Sequence, residues 1–191
     1  MKKLVAAVVF VAGAAAVQAQ TNWTIDKGHS KVGFSAVHMV VAETEGKFDE
    51  FEGSVVSTKD DFDGAQVSFT AKVASINTEN ERRDGHLKSD DFFNAEKFPD
   101  IKFVGTLTKA GGKYQLKGKL TMRDVTKDVA FDVTYGGQID TGRGVKAGFK
   151  FTGTVNRQDF GLKFASTFAD GKAVVGNDVT ITCKIELDKK A

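Results

Sequence analysis

Three histidines, His29, His38 and His86, and a single cysteine, Cys183, are the groups in this 191-residue chain best suited to proton transfer, metal ligation or nucleophilic attack. Asp26, His29 and Ser30 supply the residue types of a Ser-His-acid triad. They lie along one Asp-Lys-Gly turn, however, where Asp and Ser side chains bond local backbone more readily than they align for proton relay. The histidines and the many carboxylates leave a two-histidine metal site open by spacing alone. Isolated histidines more often serve as hydrogen-bonded structural residues, so no metal is expected. Nothing resembles a nucleophile elbow, a zinc-protease helix, a phosphate-cradling glycine loop or a dinucleotide fingerprint. No catalytic residue and no cofactor are assigned.

The densest polar cluster is Arg82-Arg83-Asp84-Gly85-His86. Thr78 with Glu81 three residues on reads as a capping box, which places this cluster on a short helix. A solvated, salt-bridged helix is the plain interpretation. The functional one is that Arg82, Arg83 and His86 meet the polar or phosphorylated head of a ligand, with Phe92 and Phe93 lining the route inward.

The elements that would position this cluster are strands. Phe occurs 16 times, and aromatic and β-branched side chains favour pleated surfaces. Tyr114, Leu116, Gly118, Leu120 and Met122 alternate with polar residues, as do Val129 to Tyr135, Val145 to Val155 and Val179 to Leu187. Cys183 falls on the inward phase, where a thiol is inert. Earlier strands are expected near 30–40, 46–57, 65–76 and 101–109, with a short one at 23–26. Gly111-Gly112 and Arg123-Asp124 suit tight hairpins, and further Gly-rich turns are expected at 136–137 and 142–144.

Eight antiparallel strands with one apolar face are expected to close as an up-and-down barrel, which removes exposed edges; a two-sheet sandwich is the alternative. The long connections 77–100 and 156–177, the latter carrying Phe168, then fall at one end with His38, while the other end carries mostly short turns. Phe34, Phe69, Phe103, Leu120, Phe131, Phe149 and Phe151 face inward. Small residues among them, such as Gly105, Gly118 and Gly153, would leave room for a long apolar guest, although a barrel of this size also fills with side chains.

Residues 1–19 have the form of a cleavable export signal: Lys2-Lys3, an apolar run and a Val17-Gln18-Ala19 end. One domain, 20–191, would remain. Its formal charge is zero once Lys2 and Lys3 are set aside, which argues against nucleic acid as a partner. The apolar run is too short to span a bilayer, and nothing later is longer. A flat β face could pair two copies, but no residue selects a homodimer.

Several segments converge on one family. Trp23-Thr-Ile-Asp26-Lys-Gly-His29-Ser30-Lys-Val32-Gly-Phe34 resembles the opening of the YceI-like, lipocalin-like polyisoprenoid-binding proteins of the periplasm. Arg83-Asp84-Gly-His86-Leu87 through Phe92-Phe93 to Phe98-Pro99, then Gly118 to Val129, Arg157-Gln-Asp-Phe160-Gly161-Leu162 and Val175-Gly176-Asn-Asp-Val179 continue the likeness. The resemblance implies an all-β, eight-stranded lipocalin-like barrel with one helix and an apolar lumen. It implies a polyisoprenoid, isoprenoid quinone or fatty-acid derivative as guest, a Gram-negative periplasmic address and a link to stress responses. It brings no settled catalysis. An enzyme using His38 or His86 as base, and a filled barrel acting through protein contacts, are the competing expectations.

Overall fold

The computed structural model describes residues 19–190, so the expected leader lies outside the described residues except for Ala19. The strands are β1 (Thr21–Ile25), β2 (Lys31–His38), β3 (Ala42–Phe48), β4 (Phe51–Ser57), β5 (Gln66–Lys72), β6 (Ile76–Asn77), β7 (Asp100–Ala110), β8 (Lys113–Met122), β9 (Val125–Asp140), β10 (Val145–Asn156) and β11 (Val175–Lys189). The helix α1 spans Glu81–Lys88, and short 3-10 turns occupy Val73–Ser75 and Arg157–Phe160. All pairings between strands are antiparallel.

Eleven strands make eight staves of a closed barrel. β1 and β2 form one interrupted stave, pairing in succession with β11 from Trp23↔Lys189 to His38↔Val175. β3 and β4 form the next, broken at Asp49-Glu50 where an unbroken strand from 46 to 57 is expected; β5 and β6 form the third. Each interruption is stitched. At the first, the Asp26 amide donates to the Glu186 carbonyl (2.9 Å) and the Ser30 hydroxyl accepts from the Glu186 amide (2.9 Å), so β11 loses no partner where its neighbour bulges. At the second, the Asp49 and Glu50 amides donate to the carbonyl and hydroxyl oxygens of Ser75.

The hairpins at Gly111-Gly112 and Arg123-Asp124 have positive φ at both loop residues, the conformation that matches strand twist. Gly136-Gly137 is not a turn. β9 runs on through it, and Gly137 (φ 99°) takes up the bulge opposite Gly148-Phe149. The capping box is also corrected. Asn80 caps α1 by accepting from the Arg83 amide at 3.0 Å, while the Thr78 amide and hydroxyl both bond Asp84 and anchor the buried approach to the helix.

The inward glycines act differently from the expectation that they leave space. A Cβ on Gly105 would stand 2.5 Å from the Phe103 ring, and one on Gly153 2.6 Å from Phe131. These glycines let aromatic rings lie back against the wall.

Candidate functional site

The barrel encloses a chamber of about 210 Å³ whose wall is almost free of polar atoms. Alternation along the staves builds that wall: inward positions come from eight directions and are apolar at nearly every layer. Phe34, Phe69, Phe103, Leu120, Phe131, Phe149 and Phe151 all line it, together with Phe92 and Phe93 from the segment after α1. Cys183 faces the same space, and burial pushes its thiol up to about 12. A thiol so held stays protonated and unreactive at neutral pH.

One end is closed by residues that sequence patterning treated as a plain turn. In the β4–β5 connection, 58–65, Phe62 turns inward and is 1% exposed. Its ring lies 5.0 Å from Trp23, 5.0 Å from Phe149 and 5.7 Å from Tyr135. The loop is clamped by Tyr114, which donates to the Asp61 carbonyl at 2.8 Å, and by Leu107, which exchanges backbone bonds with Gly64 and Ala65. Phe62 is a lone apolar residue in the run Asp60-Asp61-Phe62-Asp63-Gly64; that contrast was the available signal.

The opposite end is built from a buried cation. Arg157 is 4% exposed, lines the chamber and has no carboxylate within ion-pair distance among the described residues. Its Nε donates to the Gly176 carbonyl (2.9 Å), Nη1 to Leu162 (2.7 Å), and Nη2 to Val175 (3.3 Å) and the Asn177 side chain (3.0 Å). Backbone carbonyls thus take the place of a counter-ion, one Nη1–H is left over, and burial lowers the guanidinium pKa. The guanidinium also stands 5.8 Å from the centre of the Phe92 ring. Its place within the motif was legible; its burial was not.

The proposed mouth residues do not form one cluster. Arg82 is exposed on α1, and Arg83 folds back so that Nε and Nη2 donate to the hydroxyl and carbonyl of Thr78, each at 2.7 Å. His86 meets Asp91 at 2.8 Å, and its ring stands edge-on to Phe92 and Phe164 at 5.0 and 4.9 Å. That contact pins the end of α1 over the 157–174 loop. His38 reaches this end of the barrel, but no hydrogen bond, ion pair or ring contact joins it to Arg82, Arg83 or His86 among the described residues. None of these four lines the chamber, nor does Phe168, which is 41% exposed in the loop.

The Asp26-His29-Ser30 set is not a triad. Asp26 bonds the Gly28 amide and His29, while Ser30 is committed to the backbone of Glu186. Donor atoms of Asp26, His29 and Glu186 do lie within 4.8 Å of one another, a spacing open to a cation. The Lys146 ammonium already stands 2.8 Å from both acids and 2.9 Å from Asp188. It holds Asp26 well below the usual carboxylate range, and Asp26 in turn raises His29.

Comparison with known proteins gives a consistent picture. The family described as YceI-like domain matches residues 23–187. A UPF0312 protein of Staphylococcus aureus is 36% identical over 169 residues, 87% of this chain and 96% of that one. The solved Campylobacter jejuni YceI protein superposes with a TM-score of 0.70 at 30% identity, covering 88% of this chain and 98% of its own. A polyisoprenoid binding domain from Saccharophagus degradans shares the fold, with a TM-score of 0.66 at 12% identity over 88% of this chain and 98% of its own. No helix among the described residues is long and apolar enough to cross a membrane.

Proposed function

This chain belongs to the YceI-like family, and from that membership we propose that its barrel binds a long-chain amphiphilic lipid, as a carrier or reservoir exported to the periplasm. The observation that carries the reading is the chamber inside the barrel with its nearly unbroken apolar wall. Such a space favours a hydrocarbon guest, because each buried CH₂ contributes about 0.8 kcal/mol and the wall away from Arg157 offers almost no polar surface. The polyisoprenoid-binding name of the Saccharophagus neighbour agrees with a polyisoprenoid or isoprenoid quinone. The tail lies among Phe34, Phe69, Phe103, Leu120, Phe131 and Phe151, with Phe149 at the plugged end. The polar end lies toward Arg157, the one charged wall residue, whose spare N–H suits a phosphate or carbonyl oxygen. His38 and Arg82 at the rim are reached only by a head that extends beyond the chamber.

Binding rather than catalysis is the favoured role. His86 is committed to Asp91 and two aromatic rings, and Arg83 to Thr78, so the nearest candidates for a general base or oxyanion partner hold the structure together.

Native mass spectrometry of protein released gently from its host, followed by solvent extraction, tests the proposal. A discrete added mass that extracts as an isoprenoid lipid is the expected result. A bare mass that persists after incubation with isoprenoid quinones and isoprenoid phosphates would overturn it and favour a barrel acting through protein contacts.

A further inference from the structure

The β2–β3 hairpin ends in Met39-Val40-Val41, whose side chains are 44%, 56% and 88% exposed, and Val37 below them is 41% exposed. Few positions suit such residues less. Val40 holds φ at 65° and Met39 at 52°, a left-handed conformation that a β-branched side chain rarely adopts and that Asn or Gly fills without strain. The chain places Gly111-Gly112, Arg123-Asp124, and Gly142 with Gly144 at positive φ in its β7–β8, β8–β9 and β9–β10 hairpin loops. An apolar tip kept in water on a strained backbone costs stability twice, and such strain persists where the side chains have work to do.

The tip is joined to a second apolar segment. The Met39 amide donates to the Val174 carbonyl at 2.9 Å, and the Val174 amide to Ser166 at 2.8 Å, which ties the hairpin to the loop bearing Phe168, itself 41% exposed. Both segments continue directly into the chamber wall: Ala36 lies on β2 two residues before His38, and Val175 follows Val174. Lys172 in this loop is paired with Asp170 at 2.7 Å, so the rim has no net charge from that pair.

We propose that Met39, Val40, Val41 and Phe168 form a docking rim that inserts into the surface of a phospholipid bilayer, so that an apolar guest passes between bilayer and chamber without crossing water. This rests on the lipid-binding reading above. The convex, narrow tip suits insertion among lipid chains better than a flat protein partner, and the apolar side chains predict attachment that salt does not weaken.

The test compares wild type with Val40→Asn, Val41→Ser. Asn relieves the turn, so this double variant should be at least as heat-stable as wild type. Both proteins are offered a dansyl-labelled isoprenoid alcohol, first in detergent and then in phosphatidylcholine–phosphatidylethanolamine vesicles. Equal loading from detergent is expected, with transfer from vesicles slowed about tenfold in the variant and vesicle flotation lost, at low and at high salt alike. Equal transfer rates, or flotation by neither protein, would overturn the rim. A wild-type dimer that the variant dissolves, without flotation, would assign the rim to a second copy instead. No loading from detergent by either protein would count against the lipid-binding reading itself.

Discussion

The two ends of the barrel solve the same problem with opposite chemistry. At the β4–β5 end an aromatic side chain, Phe62, is wedged among Trp23, Tyr135 and Phe149, so the group that fills the opening is apolar. At the α1 end the closure is a buried guanidinium whose charge is answered by backbone carbonyls of the loop and the start of β11. Apolar packing keeps its strength wherever water is excluded, whereas the Arg157 arrangement holds a long loop by directional bonds that one substitution releases together. The first end is a foot for the fold; the second is the end toward which the proposed guest's head group would lie.

The largest effect that would break this contrast is Phe62→Ala. Truncation of a fully buried Phe should cost about 3–5 kcal/mol in chemical denaturation. A loss below about 1 kcal/mol would mean the loop collapses to fill the space and the end is not a rigid foot. Arg157→Met comes next. Three carbonyls and Asn177 lose their donor, for a loss of about 2–4 kcal/mol, and amide exchange should accelerate in 157–177 while β7 and β8 stay protected. Uniform acceleration across the barrel would erase the distinction between the ends.

Cys183→Phe probes the chamber between them. Adding an aromatic ring to a filled core costs about 1–3 kcal/mol, but one pointing into open space should cost less than about 1 kcal/mol and abolish lipid retention. A large destabilisation with unchanged retention would show that the wall at Cys183 is packed.

The smallest effect concerns the half-buried ion cluster around Lys146, and it acts in two pH windows. Asp26 has a lowered pKa through Lys146 and His29, so its pairing stabilises above its ordinary value of 3.8 and that stability is lost as pH falls through the folded value. His29 is raised through Asp26, so its contribution is present below 6.5 and is lost as pH rises through its folded value. The melting temperature of Lys146→Met should therefore depend less on pH on the acid side than that of wild type, and His29→Ala should be less stable than wild type below the raised folded pKa of His29 and converge with it as pH rises past that value.

What could be read from sequence followed the period of two. Outside the bulges at Gly136-Gly137 and before Val179, the staves from β7 to β11 alternate, and the inward set from Phe103 to Phe151 follows from that pattern alone. The interrupted staves were harder, because Asp26–Ser30 and Asp49-Glu50 are bridged by side-chain and turn atoms that leave no periodic trace. Phe62 and Arg157 were illegible as closures for a related reason: both sit in irregular segments, where burial depends on what the rest of the chain leaves uncovered. Residue type misled at α1. Arg83 and His86 look like ligand-binding groups, yet Thr78, Asp91 and Phe164, set by the fold, use them first.

The seam where β1 meets β11 also governs how this protein can be made. Pairing Trp23 with Lys189 closes a loop of nearly the whole described chain, and no earlier contact substitutes for it. During synthesis, the hairpins from β7 to β10 form from near neighbours, but the first stave has no partner on one side until β11 emerges. The unfinished sheet then carries two open edges, so aggregation is a race against ring closure, and a chain shortened before β11 loses that race permanently.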